Sequence, residues 1–258
     1  MPKREIATYL YCVVQSTRKP SVARVPEGLP GASRPVAHKA APSLWLIAAD
    51  VPLDVYGPSA LEPRLRDLDW VSHVAVAHET MVEHFSRARG QVVVPAKLFT
   101  MFTTLDKGVE DVASRRAALA RVTKRIAGCE EWGVRVFRKQ PVVAAAAASA
   151  RPASGAAFLA ARKAVRDAVV DARVQAATVA DKTFRRLSGQ SRDAVQRERR
   201  QEPGTNPPVL DAAFLVPIGK RAAFKKAARA QRDQCVEAGL ELALTGPWPA
   251  YNFIGNPT

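Results

Sequence analysis

The order of apolar runs along this 258-residue chain restricts its fold more than any single motif does. Short β-branched and aromatic runs alternate with longer stretches in which apolar residues return every three or four positions. Ile6 to Val14 (IATYLYCVV) is rich in strand formers and alternates with polar residues, and Ser43 to Asp50 (SLWLIAAD) is a second strand candidate. Between Asp69 and about Arg89, the residues Trp70, Val74, Ala77, Met81 and Phe85 recur at helical steps, and Gly90 stops the run. Val92-Val93-Val94 reads as a buried strand broken by Pro95. Leu105 to Ala127 predicts one long helix with Val109, Val112, Leu119, Val122 and Ile126 on its stripe and Gly128 as its terminator. Glu131 to Arg138 is again a strand, with Trp132, Val134 and Val136 facing one way. Two strands, helix, strand, helix, strand predict a split-βαβ, modified ferredoxin-like α+β domain over residues 1–140, with its first crossover helix weak or displaced.

Two stretches interrupt the pattern. Residues 15–42 carry prolines, glycines and several Lys/Arg, and predict a long, basic, mobile loop. Residues 141–156 hold five consecutive alanines (144–148) followed by Arg151-Pro152-Ala153-Ser154-Gly155, which predicts a linker. The second domain, 157–258, opens with a helical region running to about Glu198, with Phe158, Val165, Val169, Ala172, Ala176 and Val179 on one stripe. Ser188-Gly189 is a candidate break that would make it a hairpin. A loop at 202–208 follows, then a strand (Asp211 to Pro217), a helix (Gly219 to Glu237) and a strand (Leu240 to Thr245). In the first domain, Ser59 before Ala60-Leu61-Glu62 reads as a helix N-cap.

Composition narrows the class. Hydrophobic content of 47% supplies a core. No run approaches the roughly 20 apolar residues that span a bilayer, and the N-terminal apolar run lacks a small-residue cleavage site, so neither a membrane span nor a signal peptide is expected. Three scattered cysteines, Cys12, Cys129 and Cys235, fit reduced thiols in the cytoplasm. A formal net charge of +15 favours an acidic partner: nucleic acid, an anionic surface or an acidic protein.

Few residues are arranged for chemistry. His73, His78 and His84 share a predicted helix, but spacings of five and six residues turn neighbours about 140° and 240° apart, and His73 and His84 lie roughly 16 Å apart along the axis. No pair there co-ligates a metal unaided, and they read as surface or core-edge histidines. Asp50 and Asp54 flank Pro52 as solvated turn carboxylates. No nucleophile, base and orienter converge, and no cofactor motif is present, so neither an enzyme nor a cofactor is expected.

Two features point to binding. Arg185, Arg186, Arg197, Arg199 and Arg200 form one basic cluster, and Lys220, Arg221, Lys225, Lys226, Arg229 and Arg232 form another on a helix without an acid until Asp233. A nucleic-acid site adds aromatics among its cations for stacking; Phe184 and Phe224 read as core residues instead. The second feature is the run Gly246-Pro247-Trp248-Pro249-Ala250-Tyr251-Asn252-Phe253, two prolines and three aromatics in eight residues. It is a rigid, non-helical exit from a sheet. Alone it reads as an aromatic plug, with Trp248 at least partly buried. Candidate partner-binding residues are Trp248, Tyr251 and Phe253 together with Lys225, Lys226 and Arg229.

Five segments in order resemble the gas vesicle GvpL/GvpF family. Tyr9-Leu10-Tyr11-Cys12-Val13-Val14 is similar to its opening strand, and Trp70-Val71 through Ala77-His78-Glu79 to its first long helix. Val93-Val94-Pro95 with Thr100 and Phe102 is similar to its VVPxxFGTxF segment, Glu131-Trp132-Gly133-Val134-Arg135-Val136 to its EWGVKV strand, and the C-terminal run to its GPWPPYxF ending. Leu98 and Phe99 stand where the family often has Phe-Gly, so the resemblance does not carry a glycine-like backbone over to that loop; Ala250 replaces a common proline. The resemblance implies two α+β domains and a non-enzymatic, cytoplasmic, gas vesicle-associated accessory role. The implied partners are the shell protein GvpA and other accessory Gvp proteins, which such a factor would help to nucleate, chaperone or join in shell assembly. A basic nucleic-acid-binding module is the alternative that the charge leaves open.

Overall fold

The computed structural model describes residues 5–139, 155–198 and 206–255. The chain divides into two compact units. Unit one takes residues 1–130 and 248–258, and unit two takes residues 131–247. These boundaries differ from the expected ones. The strand beginning at Cys129 goes almost wholly to unit two, and Trp248, Tyr251 and Phe253 go to unit one. The expected linker at 141–156 lies almost entirely outside the described residues, as do Arg199 and Arg200.

Unit one is built on a five-stranded sheet: β1 (Ile6–Gln15), β2 (Val36–Ala41), β3 (Leu44–Pro52), β4 (Val92–Pro95) and β5 (Met101–Phe102). The spatial order is β2-β3-β1-β4, with β5 also pairing with β1, and the pairings are antiparallel. This is the order of a split-βαβ sheet in which residues 16–35 replace the first crossover helix. The second strand of the motif is β2, hidden at the end of the stretch expected to be loop.

That stretch packs against the sheet. Leu29 is buried, and Val22, Val25 and Ala32 rest on the core. The Leu29 amide donates to the Tyr11 hydroxyl at 3.0 Å, the Tyr56 hydroxyl donates to the Pro30 carbonyl at 2.9 Å, and the Asp50 amide donates to Ser33 Oγ at 2.9 Å. Proline-rich composition indicated the lack of a helix correctly, but mobility does not follow from it: the segment's apolar residues have a surface to cover.

Strand β1 is the centre of the sheet and is buried along nearly its whole length. Its register against β3 slips between Leu10 and Cys12. A bulge adds one residue and reverses the in-out alternation beyond it. Ala7, Tyr9 and Tyr11 therefore face the same core as Cys12 and Val14.

Three helices lead away from β3: α1 (Leu53–Tyr56), α2 (Pro58–Arg64) and α3 (Leu68–Ser86). The expected Ser59 cap is not used. Helix α2 starts two residues earlier, at Pro58 after Gly57, where a missing N–H costs nothing. Helix α3 is capped by Asp67, whose side chain accepts from the amides of Asp69 and Trp70 at 3.1 Å each. Val74, Met81, Val82 and Phe85 bury its apolar stripe against the sheet. The expected single helix after β5 is two, α4 (Leu105–Ser114) and α5 (Arg116–Ile126), separated at Arg115. They use the other sheet face, where Gly108 of α4 lies against Leu46 and Phe102.

Unit two holds the sheet order β7-β8-β6-β9, from β6 (Cys129–Arg138), β7 (Asp193–Gln196), β8 (Leu210–Pro217) and β9 (Leu240–Trp248). Helices α6 (Gly155–Ser188) and α7 (Arg221–Glu237) pack with it. Trp132, Val134 and Val136 face this core together with Phe214, Val216 and Phe224. Helix α6 ends at Ser188, so Ser188-Gly189 closes a helix and makes no hairpin, and residues 193–196 expected to be helical form β7. Only the second half of α6 reaches the core, through Ala176, Ala180, Thr183 and Leu187. Phe158, Val165 and Val169, earlier members of the same stripe, are exposed. Among the described residues no helix is long and apolar enough to cross a membrane.

Phe214 is fully buried and touches Phe184 and Phe224 at centroid distances of 5.6 Å each. Phe214→Ala removes that contact and leaves a cavity, so it is expected to cost about 3–5 kcal/mol. Denaturant titration followed by a probe in each unit should show the loss in unit two, and an unchanged midpoint there would refute the packing described.

Candidate interaction site

The expected site residues fall in two places. Lys225, Lys226 and Arg229 lie on the exposed side of α7 in unit two, opposite the buried Phe224, Ala228, Gln231 and Cys235. The Lys225 ammonium sits 5.7 Å from the Trp132 ring centroid, a cation–π distance. Phe184 and Phe224 turn into the core, so neither is available to stack among these cations.

The C-terminal aromatics belong to unit one and have unequal exposure. Trp248 is 41% exposed, more open than a core plug requires. Tyr251 is half-buried against the core of the sheet. Its hydroxyl is buried near the Glu79 carboxyl, and burial first, then that carboxyl, raises its pKa well above the usual phenol range. Phe253 is fully buried. The Arg125 guanidinium lies 5.8 Å from its ring centroid and donates to its carbonyl at 3.3 Å. Tyr251 and Phe253 thus anchor the segment, and Trp248 is the member that meets solvent.

The sequence motifs converge instead on a buried cluster at the centre of unit one. His78 comes off α3 between two tyrosines of β1. Its ring stacks on Tyr11 at 5.9 Å and meets Tyr9 edge-on at 5.7 Å. Nε2 lies 3.2 Å from the Ala96 carbonyl, which can only accept, so Nε2 carries the proton. Nδ1 is then the acceptor and receives the Tyr9 O–H at 2.8 Å. The Tyr9 oxygen accepts in turn from the Phe99 amide at 3.3 Å. One hydrogen-bonded chain therefore runs from the 95–102 loop through β1 to α3 and back to the loop.

Electrostatics matches this neutral chain. Burial lowers the His78 pKa to about 4, against a smaller opposing effect of the Ala96 carbonyl. Burial raises Tyr9 far above the ordinary phenol value and pushes Tyr11 up to about 12. Both imidazole nitrogens are engaged, so His78 braces the loop and offers no idle base. Reading His78 as a core-edge residue missed this. The available signal was its position, four residues after Val74 and three before Met81 on the stripe that α3 buries.

The backbone of the 95–102 loop, left open by the Leu98-Phe99 substitution, is defined at Phe99. Phe99 adopts φ 62°, the left-handed conformation that glycine takes without strain. The backbone is thus glycine-like although the residue is not. The Phe99 ring stacks on Trp70 at 6.0 Å with the planes 7° apart, which offsets the conformational cost. Cys12 on β1 and Cys129 on β6 belong to different sheets, and no disulfide joins the three cysteines.

Comparison with known proteins agrees with this architecture. The model of the gas vesicle synthesis protein GvpL/GvpF family matches residues 7–255. A protein described as gas vesicle protein L from Streptomyces sp. (strain CB03234) is 30% identical over 262 residues, covering 96% of this chain and 92% of that one. The crystal structure of GvpF from Anabaena sp. PCC7120 superposes with a TM-score of 0.68 at 14% identity, covering 96% of each chain. That of GvpF from Microcystis aeruginosa gives 0.64 at 12% identity, covering 96% of this chain and 98% of the other. The fold is thus that of a two-unit α+β gas vesicle accessory protein. The chain belongs to the GvpL/GvpF family.

Two outcomes are expected. His78 is neutral in the fold with a pKa below its unfolded value of about 6.5, so protonation favours the unfolded chain. Stability is full above pH about 6.5 and falls by up to roughly 3 kcal/mol as the pH approaches 4. Denaturant titrations across that range should show the fall, and His78→Gln should flatten it; an equal slope in both proteins would refute the neutral clamp. At position 99, Ala keeps the left-handed strain and loses the stack on Trp70. Phe99→Gly should therefore be more stable than Phe99→Ala by about 1 kcal/mol. Thermal melts of the two variants decide this, and equal melting temperatures would refute the strain.

Proposed function

We propose that this chain acts in gas vesicle formation by binding the shell protein GvpA and other accessory Gvp proteins, helping to nucleate, chaperone or join the growing shell. The observation that carries this reading is the family match across residues 7–255. On this reading the protein works by contact and not by catalysis, in the cytoplasm and associated with gas vesicles. An apolar subunit that assembles into a shell is prone to aggregate beforehand, and a partner that covers it until assembly meets that problem.

The contact surfaces proposed are the exposed Trp248, positioned by Tyr251 and Phe253, and the cationic side of α7 with Lys225, Lys226 and Arg229. Aromatic residues at a protein surface are favoured anchors of protein interfaces. The α7 cations would guide an acidic partner and make the association salt-sensitive.

Co-expression with a GvpA-type shell protein is expected to yield a complex that survives affinity capture. Trp248→Ala and the triple change Lys225→Glu, Lys226→Glu, Arg229→Glu should each weaken capture. Deletion of the gene should abolish buoyant vesicles. Normal vesicles in the deletion strain would overturn the function, and unchanged capture by both variants would overturn the surfaces.

A further inference from the structure

Helix α6 is 34 residues long, and its two halves meet different surroundings. In the second half Ala176, Ala180, Thr183 and Leu187 are buried in unit two. At 100° per residue, Phe158, Val165, Val169 and Ala172 stand within about 40° of Ala176, so they continue the same stripe toward the helix start. There the stripe is open: Phe158, Val165 and Val169 are 46%, 66% and 47% exposed. A helix that keeps its core pattern beyond its own core presents an apolar face, and here no described residue covers it.

The borders of that face differ. Arg162, Arg166 and Arg173 stand about 40–80° to one side of the stripe, whereas Ala161, Ala164 and Ala168 lie on the other. The Arg162 guanidinium already leans over the Phe158 ring at 5.6 Å. Arg166 lies 3.8 Å from Asp167 in an exposed contact, a pair too solvated to hold it away from a partner carboxylate. The alanines let a second backbone approach closely, and the arginine row offers forked donors to carboxylates along the opposite edge.

We propose that the first half of α6 is a docking face for an amphipathic helix of another protein, one with an apolar stripe and a row of Asp or Glu along one border. The apolar residues supply the contact, and the arginine row sets orientation and selects acidic over basic helices. A second copy of this chain fits less well. Each carries a formal net charge of +15, and antiparallel pairing would set one arginine row against the other. The inference stands apart from which gas vesicle component the chain serves.

The test uses the full chain and two synthetic peptides of about three heptads, with leucine at a and d and either glutamate or lysine at e and g. Fluorescence anisotropy should show binding of the glutamate peptide, weakening with salt, and little binding of the lysine peptide. Val165→Asp should lower affinity for the glutamate peptide by more than about tenfold while circular dichroism keeps the helix content. The triple change Arg162→Glu, Arg166→Glu, Arg173→Glu should reverse the preference between peptides, and Lys163→Glu, on the far side of the helix, should leave it intact. Equal binding of both peptides, or binding of neither, overturns the proposal. So does sedimentation showing a dimer that Val165→Asp converts to monomer, since a second copy would then be the occupant.

Discussion

The hydrogen bond from Tyr9 to His78 is the interaction on which unit one depends. It joins the central strand to the longest helix of that unit, and it exists only while the imidazole is neutral. Its neighbours follow from it. The Ala96 carbonyl fixes the tautomer, the Phe99 amide completes the valence of the phenol, and Tyr11 covers the ring while its own hydroxyl receives the Leu29 amide. A buried polar chain of this kind is stabilising only when every member is satisfied, because an unpaired donor in that surrounding costs its full hydration. The crossover segment, the strand, the helix and the loop are thereby tied to one point.

The sequence revealed much of this fold through periodicity and little of it through composition. Helix α3 was legible because Val74, Met81 and Phe85 recur at helical spacing, and β6 because Trp132, Val134 and Val136 alternate. The bulge in β1 was not legible, because an apolar run such as Leu10-Tyr11-Cys12-Val13-Val14 reads the same with either face inward. Strand β2 was masked by its flanks: Val36-Ala37-His38-Lys39 lacks a clear alternation, and the prolines around it argue for loop. It forms because β3 needs a partner on its open edge.

The site was legible in part. The cations of α7 were legible as a cluster without an intervening acid, and Lys225, Lys226 and Arg229 are exposed in the structure. The C-terminal aromatics could not be ranked by exposure, since that depends on which unit they join. Phe99 shows the limit most clearly. A bulky residue argues locally against a left-handed backbone, yet stacking on Trp70 and the Tyr9 hydroxyl outweigh that preference. For α6, periodicity detected the apolar stripe correctly but carried no information on what would cover it.

Unit one is discontinuous, and this bears on how the protein is made. Its sheet and α3 are synthesised first, but Tyr251 and Phe253 arrive only after all of unit two. Unit two is contiguous in sequence, whereas unit one is completed only by residues from both sides of it. The earlier half of the molecule must therefore wait, its core incomplete, for the last aromatic side chains to emerge. A nascent chain truncated before residue 248 would carry a finished second unit and an unsealed first one. The unit that is begun first cannot be completed until the other has been made.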